Sequence, residues 1–123
     1  MHLSKIQREK RLFDEALGWD ILPASQVFVH LVEEIGEIGR SILYAEGYKK
    51  SGLGHANAPS EVHREFAQSF SLLIQLANMQ GINLEAAYLE EMRIMETRFP
   101  VKSWRKYVKT LKLQTQGAKR SKS

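Results

Sequence analysis

Two long stretches, residues 23–46 and 60–80, repeat an apolar side chain at every third or fourth position, and neither alternates apolar with polar. That spacing is the period of an α-helix, and over such lengths it excludes a half-buried strand. The punctuation agrees. Pro23 is placed to open the first stretch, which runs to Glu46 and stops at Gly47; Pro59 and Ser60 begin the second, which ends before Gly81. Between them "GYKKSGLGHANAP", with three glycines and a closing proline, reads as a loop. A shorter amphipathic piece from Ser4 to Leu17 carries Ile6, Phe13 and Leu17 on one side and is broken by "GWDILP". Another helix starts at the capping residue Asn83 and ends at Pro100, and "KSWRKYVKTLK" adds a short one with a thin apolar face. No segment reads as a strand. The expected fold is all-α, a four- to five-helix bundle.

A chain of 123 residues is long enough to bury a core as one domain, and its lack of cysteine rules out disulfides and thiolate metal sites. No apolar run reaches the length of a membrane span, and "MHLSKIQREKR" has no signal-peptide core behind its charge. The expectation is a soluble, cytoplasmic protein with no membrane partner. The net charge of +4 conceals an asymmetry: residues 101–123 hold eight Lys or Arg and no acid, leaving ten bases against fourteen acids before them. Residues 1–112 are therefore expected to form the domain, and 113–123 a basic, disordered tail. A nucleic-acid partner is not expected, because the body lacks the interleaved basic and aromatic residues of such a surface.

On the second helix Val27, Phe28, Leu31, Val32, Ile35, Ile38, Ile42 and Leu43 share one broad face; on the third it is Val62, Phe66, Phe70, Leu73, Ile74, Leu76 and Ala77. Arcs this wide exceed what one small bundle covers, so assembly with a second subunit is expected. Into this apolar setting "HLVEEIGEIGR" inserts three carboxylates. Glu34 falls at the edge of the apolar face and Glu37 about 60° further round, with His30 and Ser41 between them in projection; Glu33 and Arg40 point outward. On the third helix Glu65 and Gln68 repeat the same i, i+3 arrangement. Antiparallel packing of the two helices lets both polar seams meet along one groove.

Singly, each glutamate is most simply a surface residue, as in a pairing of Glu37 with Arg40. As a partly buried cluster they differ, because two carboxylates 5–6 Å apart repel by roughly 3 kcal/mol at an effective dielectric of 20. Such a cluster calls for a cation or a raised pKa. Oxygen ligands on rigid helices suit a hard, water-retaining ion, and magnesium is the natural candidate. Gly36 and Gly39 leave room beside the seam for another element. Trp19, Phe28 and Tyr44 are core residues on the simplest reading, or a stacking wall for a base. His30 reads as a hydrogen-bonded seam residue, His55 and His63 as exposed.

"EEIGE", followed after a loop by "EFAQ", resembles the EExxE…ExxD signature of the MazG-like, all-α nucleoside triphosphate pyrophosphohydrolases. The similarity runs from about Trp19 to Pro100 and takes in "LVEEIGEIGRSIL", "LANMQGINLEAA" and "TRFP". The resemblance implies hydrolysis of a nucleoside triphosphate to the monophosphate and pyrophosphate, with magnesium as cofactor, in a homodimer or homotetramer. It makes Glu34, Glu37 and Glu65 the catalytic metal ligands, with Gln68 at the fourth ligand position. Glu33 becomes a supporting residue behind the ligands and Arg98 a substrate-binding residue; on the reading of the residues themselves, His30 joins the supporting residues and Trp19 the substrate-binding ones. Gln68 stands where the signature has an aspartate, and Glu91 and Met95 where the family often has lysine and asparagine. Those departures set out the alternative, a catalytically degenerate nucleotide-binding or protein-interaction module.

Overall fold

The computed structural model describes residues 2–56 and 61–121, with side chains as far as residue 112. Its described residues form α1 (Leu3–Leu17), a 3-10 turn (Trp19–Ile21), α2 (Ala24–Ala45), α3 (Val62–Met79), α4 (Leu84–Arg98) and α5 (Val101–Ser121). The expected all-α class holds: among the described residues the β features amount to one isolated bridge between Ser51 and His55 in the loop after α2. The expected start of the third helix at Pro59 and Ser60 lies outside the described residues, and α3 begins at Val62 behind Glu61. The reading of 113–123 as a disordered basic tail falls on residues whose side chains are likewise outside that description.

The helix ends follow from local chemistry. Gly18 closes α1 with φ 74°, a left-handed cap that an L side chain rarely adopts, and its N–H bonds back to Glu15. Pro23 precedes α2 with φ −60°, and its carbonyl accepts from Gln26, which starts the helical ladder. Gly81, φ 68°, turns the chain from α3 toward α4.

The chain divides into two compact units, Met1–Glu85 and Ala86–Ser123. In the first, α2 and α3 run antiparallel: Ser41 reaches Glu65, Glu34 shares a cleft with Gln68, and Val27 shares one with Leu72 and Gln75. Their shared core is small, with Val27, Leu31, Ile74 and Ala77 buried. The rest of the expected faces divides in two. Phe28, Val32, Ile35 and Ile42 on α2, with Val62, Phe66, Phe70 and Leu73 on α3, stay exposed in the single chain.

The face of α1 that packs inward departs from expectation. Phe13 and Leu17 are exposed, while the buried residues are Gln7 and Asp14. The cause is hydrogen bonding. Gln7 Nε2 donates to the Ile82 carbonyl at 2.6 Å, its Oε1 accepts from the Leu84 N–H at 3.0 Å, and its own carbonyl accepts from Asn78 Nδ2 at 3.1 Å. A turn of backbone needs polar partners, and α1 supplies them at the cost of exposing its apolar side.

The second unit holds most of α4, together with α5. Phe99, Trp104 and Tyr107 make a chain of edge-to-face ring contacts, with centroids 6.0 and 5.6 Å apart. α5 is far longer than the short helix expected from "KSWRKYVKTLK". Among the described residues no helix is long and apolar enough to cross a membrane.

Candidate functional site

The antiparallel pair α2 and α3, with the 3-10 turn, brings four of the expected residues to one place. Trp19, His30, Glu34 and Gln68 line a cleft of about 340 Å³ together with Lys10 and Ser71. A second cavity, also of about 340 Å³, adjoins it, with Trp19, His30, Leu72 and Gln75 common to both walls. Its remaining lining is largely apolar, including Leu22 and Val27. The two form one amphipathic cleft, with a polar lobe at Glu34 and an apolar lobe behind Trp19.

Trp19 is placed by the 3-10 turn after α1 and steadied by an edge-to-face contact with Phe13, centroids 5.7 Å apart. The buried Gln75 side chain lies beneath it, Nε2 toward the Trp19 carbonyl at 3.4 Å. Glu34, with 19 % of its side chain exposed, has His30 Nε2 at 3.5 Å, one helical turn back. Glu33 points away, toward a shallow depression beside Ser25 and Val29.

The other two expected ligands have partners of their own. Glu37, 45 % exposed, pairs with Arg40 at 3.1 Å, the simple pairing its i, i+3 spacing allows. Glu65 accepts a hydrogen bond from Ser41 Oγ at 3.0 Å, and the same hydroxyl lies 3.2 Å from the Glu37 carbonyl. Among the described residues no three His, Asp or Glu side chains stand as a group able to hold a metal ion. Arg98 closes α4 in the second unit, its guanidinium 5.1 Å from the Phe99 ring centroid. Gly36 and Gly39 have nothing within 4 Å of where a Cβ would stand, so among the described residues no element makes the close approach expected there.

As a donor set, Glu34, Glu37, Glu65 and Gln68 fit magnesium in kind, because all offer oxygen. In position only Glu34 and Gln68 share the cleft, while Glu37 and Glu65 hold other partners. The Glu37–Arg40 pair is half exposed, and such pairs are worth about 0–1 kcal/mol. It also leaves the buried Arg40 Nε without a hydrogen-bond partner.

Sequence reasoning missed Lys10 and Asp14. Asp14 is 2 % exposed and Lys10 Nζ lies 2.5 Å from its Oδ1, while the same ammonium stands 5.2 and 5.4 Å from the Phe13 and Trp19 ring centroids. The i, i+4 spacing ahead of an aromatic pair is the only trace of this in the sequence. Compared with protein-family models, curated proteins and solved structures, the chain finds no match.

Proposed function

We propose that the chain is a magnesium-dependent nucleotide pyrophosphohydrolase that works as a homo-oligomer. The observation that carries this reading is the cleft in which Glu34 of α2 and Gln68 of α3 stand on one side and Trp19 on another. An oxygen-donor seam beside an aromatic, apolar lobe suits a ligand with a charged end and a flat end.

Glu34, Glu37 and Glu65 would hold magnesium, with the Gln68 amide oxygen as a neutral fourth donor. Bound there, the ion supplies charge that polarises phosphate oxygens and favours attack of water at the α-phosphorus. His30, with Nε2 3.5 Å from Glu34, stands where it would orient that carboxylate, and Glu33 adds negative potential from outside the seam. Trp19 offers its ring to a base, and the apolar lobe behind it excludes water from that end. Arg98 is assigned to phosphate by the resemblance alone.

The oligomer rests on the exposed stripes of α2 and α3. Phe28, Val32, Ile35 and Ile42 form an exposed apolar row on α2, and Val62, Phe66, Phe70 and Leu73 another on α3. Exposed apolar rows of that kind call for a partner, and a second copy would bury the same rows in return.

One observation favours the degenerate binding module instead. Glu37 and Glu65 are each engaged by a side chain of their own helix pair, and Gln68 withholds a charge. The deciding experiment is a screen of the purified chain with magnesium against common and modified nucleoside triphosphates, scoring monophosphate and pyrophosphate. Turnover of at least one supports the enzyme; binding without turnover across the panel supports the module.

A further inference from the structure

A polyphosphate entering the polar lobe would meet the Glu34 carboxylate and, on the reading above, its neighbours. Like charges there must be offset. Among the described residues lining the two lobes, Lys10 is the only lysine or arginine. It comes from α1, a helix that the carboxylate seam does not include.

The setting of Lys10 is that of a built cation. Only 14 % of its side chain is exposed, so its charge is felt in a medium of lower dielectric than water. Asp14 and the Phe13 and Trp19 rings fix the ammonium in place, so little side-chain freedom remains to be lost on binding. Asp14 takes one of its three N–H donors. Asp14 itself faces a different cavity, lined by Arg11, Asp20 and Asn78 among others. The ion pair therefore crosses a wall of the cleft, its cation on the Glu34 side and its anion behind.

We infer that Lys10 is the phosphate-binding cation of this cleft, taking the polyphosphate of the ligand while the ring of Trp19 takes its base. The inference rests on the nucleotide reading but predicts an anion site that inorganic polyphosphate alone can report. Asp14 sets its strength, because any weakening of that counter-charge leaves more of the ammonium's field for the ligand.

The test is calorimetric titration of the full chain and its variants with inorganic tripolyphosphate, then with α,β-methylene nucleoside triphosphates of the common bases, both with magnesium. Lys10→Met with Asp14→Asn removes the cation without stranding the buried acid, and should weaken tripolyphosphate at least tenfold. Asp14→Asn alone should tighten it at least threefold. A purely structural ion pair predicts altered melting temperatures with unchanged affinities in both variants, and that result overturns the inference. If the double variant does not fold, the single variant decides: unchanged or weaker tripolyphosphate binding refutes the role. Nucleotide binding by the parent that the double variant retains in full sinks the Lys10 assignment and leaves the nucleotide reading standing. Lys10-dependent tripolyphosphate binding without nucleotide binding does the reverse. A parent that binds neither probe overturns both.

Discussion

Replacing Gln7 by alanine should destabilise the first unit by about 2–4 kcal/mol, from one amide on a helix that looks peripheral. Gln7 is 9 % exposed, and its amide satisfies two backbone groups at once. One is the Ile82 carbonyl, which it meets at 2.6 Å; the other is the Leu84 N–H at 3.0 Å. The Leu84 N–H belongs to the first turn of α4, where no intrahelical acceptor exists. Alanine removes both partners together, and each backbone group left unsatisfied costs about 1–3 kcal/mol. Both bonds are only part-buried, so water recovers some of the loss, which places the sum toward the lower half of that range.

Two further variants separate the contributions. Gln7→Met fills the space without polar atoms and should cost nearly as much as alanine. Gln7→Glu keeps an acceptor for Leu84 but turns a carboxylate oxygen on the Ile82 carbonyl, so it should restore part of the loss at most. Urea unfolding followed by circular dichroism gives the free energies, and hydrogen exchange reports the Leu84 amide directly. An alanine variant less than about 1 kcal/mol below the parent, or an unchanged exchange rate at Leu84, would refute the account of why α1 buries its polar face.

The carboxylate seam makes its own demands. Gln68→Asp should tighten magnesium binding roughly tenfold, about 1.4 kcal/mol, and raise any hydrolysis, while Glu37→Gln should weaken both; equal titration curves for the three proteins would sink the metal site. Phe66→Asp combined with Phe70→Asp places two charges in the exposed apolar row of α3, and sedimentation should then give the mass of a protomer at concentrations where the parent is larger. A parent already monomeric at micromolar concentration contradicts the assembly. Gly36→Ala and Gly39→Ala meet open space and should each raise stability by about 0.5–1 kcal/mol; a lower melting temperature would mean that another chain packs against them.

The helical period and the glycine stops were legible in the sequence, because each depends on residues a few positions apart. The meeting of Glu34 with Gln68 followed from the antiparallel packing that two apolar faces joined by a loop require. Glu37 and Glu65 instead take partners of their own. A helical projection places side chains by angle alone, whereas Arg40 and Ser41, three and four residues after Glu37, compete for the same carboxylates through rotamers that the projection does not carry. The exposed half of each apolar arc was legible as breadth.

Why Lys10 stayed hidden is clearer from its neighbours on α1. The helix carries three basic residues followed four positions later by an acid, namely Lys5–Glu9, Lys10–Asp14 and Arg11–Glu15. By sequence they are equivalent, and two behave as the spacing suggests, with side chains about half exposed at 4.0 and 3.9 Å. The third is buried at 2.5 Å. Gln7, Lys10 and Asp14 lie three and four residues apart, so they share a stripe, the same stripe geometry that elsewhere marks an apolar core face. Hydropathy turns α1 by about 100° to put Ile6 and Phe13 inward, whereas the backbone of the turn at Ile82 and Leu84 requires a donor and an acceptor and turns it to Gln7. Once Gln7 is docked, the helix repeat carries Lys10 and Asp14 inward with it. The polar register of α1 is thus set by a turn more than seventy residues away, and the charge in the cleft follows from that turn.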